Sequence, residues 1–179
     1  MSNYVLAPAM LARNGRALAA VVAAFAGVGV VARYGFESDV IVPLVAVPVL
    51  VLLSVHDLER RNIPNRIVLP AWAFALFANI ALHPSHTVEW TLSSVAAAAF
   101  FFVFARLTHG GVGMGDVKLV GFIGAVLGRD VFPALLIGTG ASGLLAALIL
   151  LQHGKAARRR TYAFGPFLAG GALVVLLFL

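Results

Sequence analysis

Long apolar runs separated by short polar clusters dominate this chain. A helix that crosses the ~30 Å hydrocarbon core of a bilayer needs about 20 mostly apolar residues, with a range of roughly 17–25. Seven runs meet or approach that requirement: residues 17–34, 40–56, 67–82, 91–107, 116–128, 131–152 and 163–179. The fifth is short for a full span. No heptad, solenoid period or low-complexity linker interrupts the pattern, and the connections leave little room for an extramembrane domain. The expected fold is therefore an all-α polytopic membrane protein with seven transmembrane helices.

Composition points the same way. Of 179 residues, 61% are hydrophobic and 11% charged, against ~45–50% and ~25% in soluble domains. Mean hydropathy is +1.00. An ordinary soluble domain, a disordered tail and a disulfide scaffold are all excluded. With no cysteine, the chain has no thiolate zinc site, iron–sulfur cluster or cysteine nucleophile.

The net charge of +6 and a pI near 10.8 raise the question of nucleic acid. Placement answers it, because cytoplasmic loops of membrane proteins accumulate Lys and Arg. With the N-terminus inside, Arg13, Arg16, Arg60, Arg61, Arg66, Arg106, Lys118, Lys155, Arg158, Arg159 and Arg160 all fall on the inner side, leaving only Arg33 and Arg129 outside. Glu37, Asp39, Glu89 and Asp130 also fall outside. The basic excess is a topology signal, and no nucleic-acid partner is expected. The first run follows Arg13 and Arg16 in the manner of a signal peptide, but its length and the lack of a small-residue cleavage site make it a retained anchor.

Among the seven acids, Asp57 and Asp116 stand apart. Asp57 closes the second run in Val-His-Asp-Leu-Glu-Arg-Arg-Asn-Ile-Pro-Asn, and Asp116 opens the fifth in Gly-Gly-Val-Gly-Met-Gly-Asp-Val-Lys-Leu. Two complete spans lie between them, so parity returns the chain to the same face. Taken singly, an aspartate at a helix start is ordinarily a cap, and one beside arginines at a helix end is ordinarily solvated. As a pair at one membrane face they suggest shared chemistry. Two neighbouring carboxyls cannot both ionise easily, so one keeps a proton while the other activates water. Helix-end fields assign the proton to Asp57, at a C-terminus, and the base to Asp116, at an N-terminus.

The surroundings fit a substrate-approach loop. Gly110, Gly111, Gly113 and Gly115 let the backbone run close to a bound strand. The stretch is not a phosphate loop, since Asp116 stands where a lysine would be needed. Pro64 fixes the entry to the third span, and Asn65 is the expected N-cap.

These residues resemble the type IV prepilin peptidases, a family of GxGD-type intramembrane aspartic proteases. Three blocks carry the resemblance: Asp57 followed by Ile63-Pro64-Asn65; Gly113-Met114-Gly115-Asp116-Val117-Lys118-Leu119; and Phe164-Gly165-Pro166-Phe167-Leu168-Ala169-Gly170-Gly171-Ala172. The resemblance implies cleavage of the leader from prepilin or pseudopilin precursors at the cytoplasmic face of a bacterial inner membrane, with Asp57 and Asp116 as the catalytic pair. It divides the chain into residues 1–39, a cytoplasmic tail with an extra transmembrane helix, and residues 40–179, a six-helix peptidase core ending on the periplasmic side. Gly113, Met114, Gly115, Lys118, Ile63, Pro64 and Asn65 are then motif residues around the substrate approach, and Phe164, Gly165 and Pro166 a structural motif. Longer relatives carry a four-cysteine, zinc-binding insert and also N-methylate the trimmed product. This cysteine-free chain looks like the short Tad/Cpa-type enzymes that process Flp pilins, for which neither a cofactor nor a metal is expected.

Two other readings compete with this one. Gly140-Ala141-Ser142-Gly143 matches a serine-protease Gly-x-Ser-Gly pattern, but His153 lies eleven residues further along the same helix, about 16 Å away. Small residues at Gly138, Gly140, Ser142 and Gly143, and at Gly124 and Gly128, are better read as helix-packing positions. A small proton-coupled transporter or channel component would use the same aspartates as relays, and would carry acids nearer mid-span. His83, His86 and His109 split between the two faces and form no metal set.

Overall fold

A computed structural model describes residues 8–107, 113–153 and 163–179. His109, Gly110, Gly111, Lys155, Arg158, Arg159 and Arg160 lie outside the described residues, as do the side chains of Arg13 and Arg16. The described residues form seven α-helices and no strand: α1 (Pro8–Tyr34), α2 (Ile41–Arg60), α3 (Asn65–Leu82), α4 (Thr87–Leu107), α5 (Met114–Leu127), α6 (Val131–His153) and α7 (Gly165–Phe178). The chain is an all-α, polytopic membrane protein. Among the described residues, five segments are long and apolar enough to cross a membrane, namely Ala17–Tyr34, Ser38–Arg60, Asn65–Leu82, Pro84–Leu107 and Met114–Gln152, with Gly165–Phe178 a shorter apolar helix.

The apolar segment Met114–Gln152 holds 39 residues and as one helix would measure about 58 Å, nearly twice the ~30 Å hydrocarbon thickness. A single 3-10 turn at Gly128–Asp130 divides it, with Gly128 at φ 58°. A side chain there would be strained and would also meet the Trp90 ring at 2.8 Å. The first half, α5, is only 14 residues long, and Val117 and every residue from Leu119 to Leu127 are buried. A helix that is apolar all round belongs inside a bundle. Helices α2, α3, α4, α6 and α7 all pack against α5, while α1 packs on α2 and α7 at the periphery.

Contacts between named residues fix the directions. Ile63 meets Gly115, Trp72 meets Gly121, and Asn79 Nδ2 donates to the Ala125 carbonyl at 2.7 Å, so α3 and α5 run parallel. Gly124 meets Ser93 and Ser94, and Gly128 meets Trp90, so α4 is antiparallel to α5. Ala134 faces Gly171, and Gly138 faces Phe167 and Leu168, so α6 and α7 are antiparallel. The starts of α3 and α5 therefore share one end of the bundle with the finish of α2. At the other end His83 Nε2 lies 3.4 Å from Asp39 Oδ1, and Arg129 Nε lies 3.9 Å from Glu89 Oε1.

The expected packing glycines divide. Gly124, Gly128 and Gly138 each sit where a Cβ would collide with a neighbouring helix, whereas Gly140 and Gly143 face open space. Ser142 is buried, at 3% exposure. Helix bounds also differ from the apolar runs: α1 starts at Pro8 and α2 continues to Arg60, because amphipathic and charged residues extend a helix past the hydrocarbon edge.

Candidate active site

Asp57 sits in the last turn of α2 and is 6% exposed. The helix ends one turn later at Arg61, which adopts a left-handed conformation (φ 51°, ψ 39°) and donates its N–H to the Asp57 carbonyl at 2.7 Å. This left-handed C-terminal cap reverses the chain and delivers Ile63 into the core, 4% exposed, against Gly115. A Cβ on Gly115 would lie 3.0 Å from Ile63 Cβ. The first and second sequence blocks are thus in direct contact.

Pro64, with its fixed φ and extended ψ of 123°, occupies the N-cap of α3, and its carbonyl accepts the N–H groups of Ile67 and Val68. Asn65 is the first helical residue and not the cap expected for it. Its Oδ1 is instead the acceptor for Lys118 Nζ at 2.7 Å. Lys118, counted among the inner-side cations and the motif residues, ties the start of α5 to the start of α3. Met114 is half-exposed and Arg60, Arg61 and Arg66 are exposed around this end.

Asp116 occupies the first turn of α5, and its Oδ2 accepts the Gly113 N–H at 3.1 Å. The capping role that an aspartate at a helix start ordinarily fills is therefore present here. Asp116 is partly exposed, and the Asp57 carboxyl lies within electrostatic range of it.

The third block closes the group. Gly165 begins α7, Pro166 follows within the first turn, and the Gly165 N–H donates to Asp57 Oδ2 at 2.9 Å, both groups being buried. Phe164, at the N-cap, stacks on Phe101 of α4 with ring centroids 6.4 Å apart and planes at 22°. The structure therefore brings all three blocks to one end of the bundle. It also alters the basis for dividing roles between the acids, since Asp57 faces the amino end of α7 as well as ending α2. Each carboxyl accepts a backbone N–H from a helix start.

Phe101 and the Gly165 amide were not legible as site components, the first lying in an unremarkable aromatic run and the second acting across 108 positions. Ser142 and His153 lie on the unbroken α6, which keeps them about 16 Å apart along the axis. Among the described residues, no group of three His, Cys, Asp or Glu is placed to hold a metal ion.

A polytopic helical membrane protein with two acids gathered at one bundle end is the class that fold and site define. The chain matches the model of the Type IV leader peptidase family over residues 44–151, more than half its length, and it belongs to that family. The matched span contains Asp57 and Asp116 and stops before Gly165. The chain is 30% identical over 154 residues to the prepilin leader peptidase/N-methyltransferase of Bacillus subtilis (strain 168), covering 86% of this chain and 61% of that protein. It is 26% identical over 159 residues to the protein of that name in Burkholderia pseudomallei (strain 1026b), covering 84% and 50%, and 28% identical over 148 residues to that of Neisseria gonorrhoeae, covering 80% and 50%. It thus spans between half and about three-fifths of the length of these curated relatives. No solved structure matches it significantly.

Proposed function

We propose that this chain is an intramembrane aspartic endopeptidase that removes the leader from prepilin-like precursors, of the Flp/Tad type, at the cytoplasmic face of a bacterial inner membrane. The observation that carries the reading is the meeting of Asp57 and Asp116 at one end of the bundle although α3 and α4 separate them in sequence. The names of the relatives supply the substrate class.

In this reading the two carboxyls share one proton. The ionised carboxylate takes a proton from water as the water oxygen bonds to the scissile carbonyl carbon, and the protonated partner gives its proton to the carbonyl oxygen. The tetrahedral intermediate collapses with cleavage of the C–N bond. The proton taken from water passes to the leaving nitrogen, and a proton returns to the dyad from the product carboxyl. Gly113, Met114 and Gly115 line the approach, with Ile63, Pro64, Asn65 and Lys118 bracing it. Phe164, Gly165 and Pro166 close the far side.

The proposed topology has seven spans, the N-terminus cytoplasmic and the C-terminus periplasmic, with residues 40–179 as the catalytic core and α1 as an addition. The short α5 is tolerated as a span because neighbouring helices, and not lipid, surround it. A transporter reading has less support, since the buried polar side chains Asn79 and Ser94 are bonded to backbone carbonyls of α5.

The test is co-expression with a Flp-type prepilin, following the precursor's mobility. Asp57→Asn and Asp116→Asn should each abolish processing. Cleavage that survives both substitutions overturns the aspartic reading. Mass spectrometry of the trimmed product should find an unmethylated N-terminus.

A further inference from the structure

We infer that the amino end of α7 holds the dyad in register, with Gly165 as a positioning residue for Asp57. This rests on the aspartic-peptidase reading above. The first N–H groups of a helix have no partner within it, and Pro166 has no N–H to give. Gly165 donates the N–H that reaches Asp57 Oδ2, at 2.9 Å.

Two further observations show that this contact is built in. A Cβ on Gly165 would stand 2.8 Å from Asp57 Oδ2, 3.2 Å from its Cγ and 3.3 Å from its Cβ. Gly165 does not adopt a positive φ, so space and not backbone conformation demands glycine. The residue before it is anchored independently: Phe164 stacks on Phe101, which is 4% exposed, and its carbonyl accepts the N–H groups of Phe167 and Leu168. Helix α7 is thus pinned to α4 by Phe164 and meets α2 at the side chain of Asp57 through the next residue. The start of α7 sets where that carboxyl stands relative to Asp116.

Gly165→Ala converts the contact into a wedge. A displacement on the order of 1 Å at a catalytic group costs about 100-fold in rate. Gly165→Ala should lower kcat about 100-fold while leaving KM within roughly threefold, since the precursor's distant contacts are untouched. Gly170→Ala, on the same helix with nothing within 4 Å of the new methyl, should leave both unchanged. Thermal unfolding supplies a readout independent of cleavage. Gly165→Ala should lower the melting temperature of the wild type clearly more than that of Asp57→Ala, in which the contacts with Oδ2 and Cγ are gone and only the 3.3 Å approach to Cβ remains. If the wild-type background fails to accumulate the variant, the Asp57→Ala background must accumulate it. Equal loss of stability in both backgrounds, failure to accumulate in both, or an unchanged kcat overturns the inference. Cleavage by Asp57→Asn and Asp116→Asn together with intact thermal coupling would instead overturn the enzymatic reading alone.

Discussion

Gly121→Ala should be among the most damaging single-methyl changes in the chain. The added Cβ would stand 2.5 Å from Trp72 Cη2 and 2.9 Å from its Cε2, so the indole must move or α3 and α5 must part. Either movement breaks a polar relay. Trp72 Nε1 donates to Ser94 Oγ at 2.7 Å, and Ser94 Oγ donates to the Gly121 carbonyl at 2.9 Å. Overpacking a well-filled core costs about 1–3 kcal/mol, and an interhelical hydrogen bond in a membrane averages about 0.6 kcal/mol. Losing both bonds with the strain gives about 2–4 kcal/mol. At roughly 2–4 °C per kcal/mol for a chain of this size, the melting temperature in detergent should fall by about 5–15 °C. Gly140→Ala, whose methyl meets nothing within 4 Å, is the matched control and should leave it unchanged. Trp72→Leu removes the colliding ring, so the double variant should recover part of the loss relative to Gly121→Ala alone. A Gly121→Ala protein that melts with the wild type, or a double variant worse than both singles, would refute the packing argument.

Three other outcomes follow from the same contacts. Lys118→Met and Asn65→Ala each remove the bond between the starts of α3 and α5. Each should cost under about 1 kcal/mol, and the double variant should cost no more than the larger single, as read by a thermal double-mutant cycle. Ser142→Ala should leave precursor cleavage within about twofold, because a serine mechanism needs a base within hydrogen-bond reach. Loss of cleavage would return the serine reading to consideration. The chain has no cysteine, so single cysteines report topology against a silent background. Arg129→Cys should react with a membrane-impermeant maleimide in cells whose outer membrane is permeabilised, and Arg61→Cys only after the inner membrane is opened. The reverse pattern would invert the proposed orientation.

What the sequence made legible is what a bilayer forces on a chain. Length and apolarity reveal helices, and the parity of two intervening spans is enough to put Asp57 and Asp116 at the same end. Face selection was far less legible. In a soluble helix the buried face is marked by periodic apolar residues, but a leucine in a membrane is equally at home against lipid or a neighbour. Leu144 and Leu168 read alike in the sequence, yet the first is 64% exposed and the second fully buried. For the same reason Gly138 and Gly140 looked equivalent, while only Gly138 meets another helix.

The informative positions are those where apolar side chains do not decide. Close contacts through a missing Cβ join α5 to α3 at Gly121 and to the turn leading into it at Gly115, α5 to α4 at Gly124, and α7 to α2 at Gly165. Hydrogen bonds from Trp72, Asn79, Ser94 and Lys118 reinforce the first two interfaces. Asp116 therefore rides on a helix braced from α3 and α4. Asp57 has a different kind of support, which among the described residues is an amide from α7. A disturbance of α5 packing should thus reach the dyad through Asp116, and a disturbance of α7 through Asp57. If the two act through separate supports, Gly121→Ala and Gly165→Ala should combine additively in melting temperature. A strong coupling between them would show that α5 and α7 shift as one body and that the two acids are not independently held.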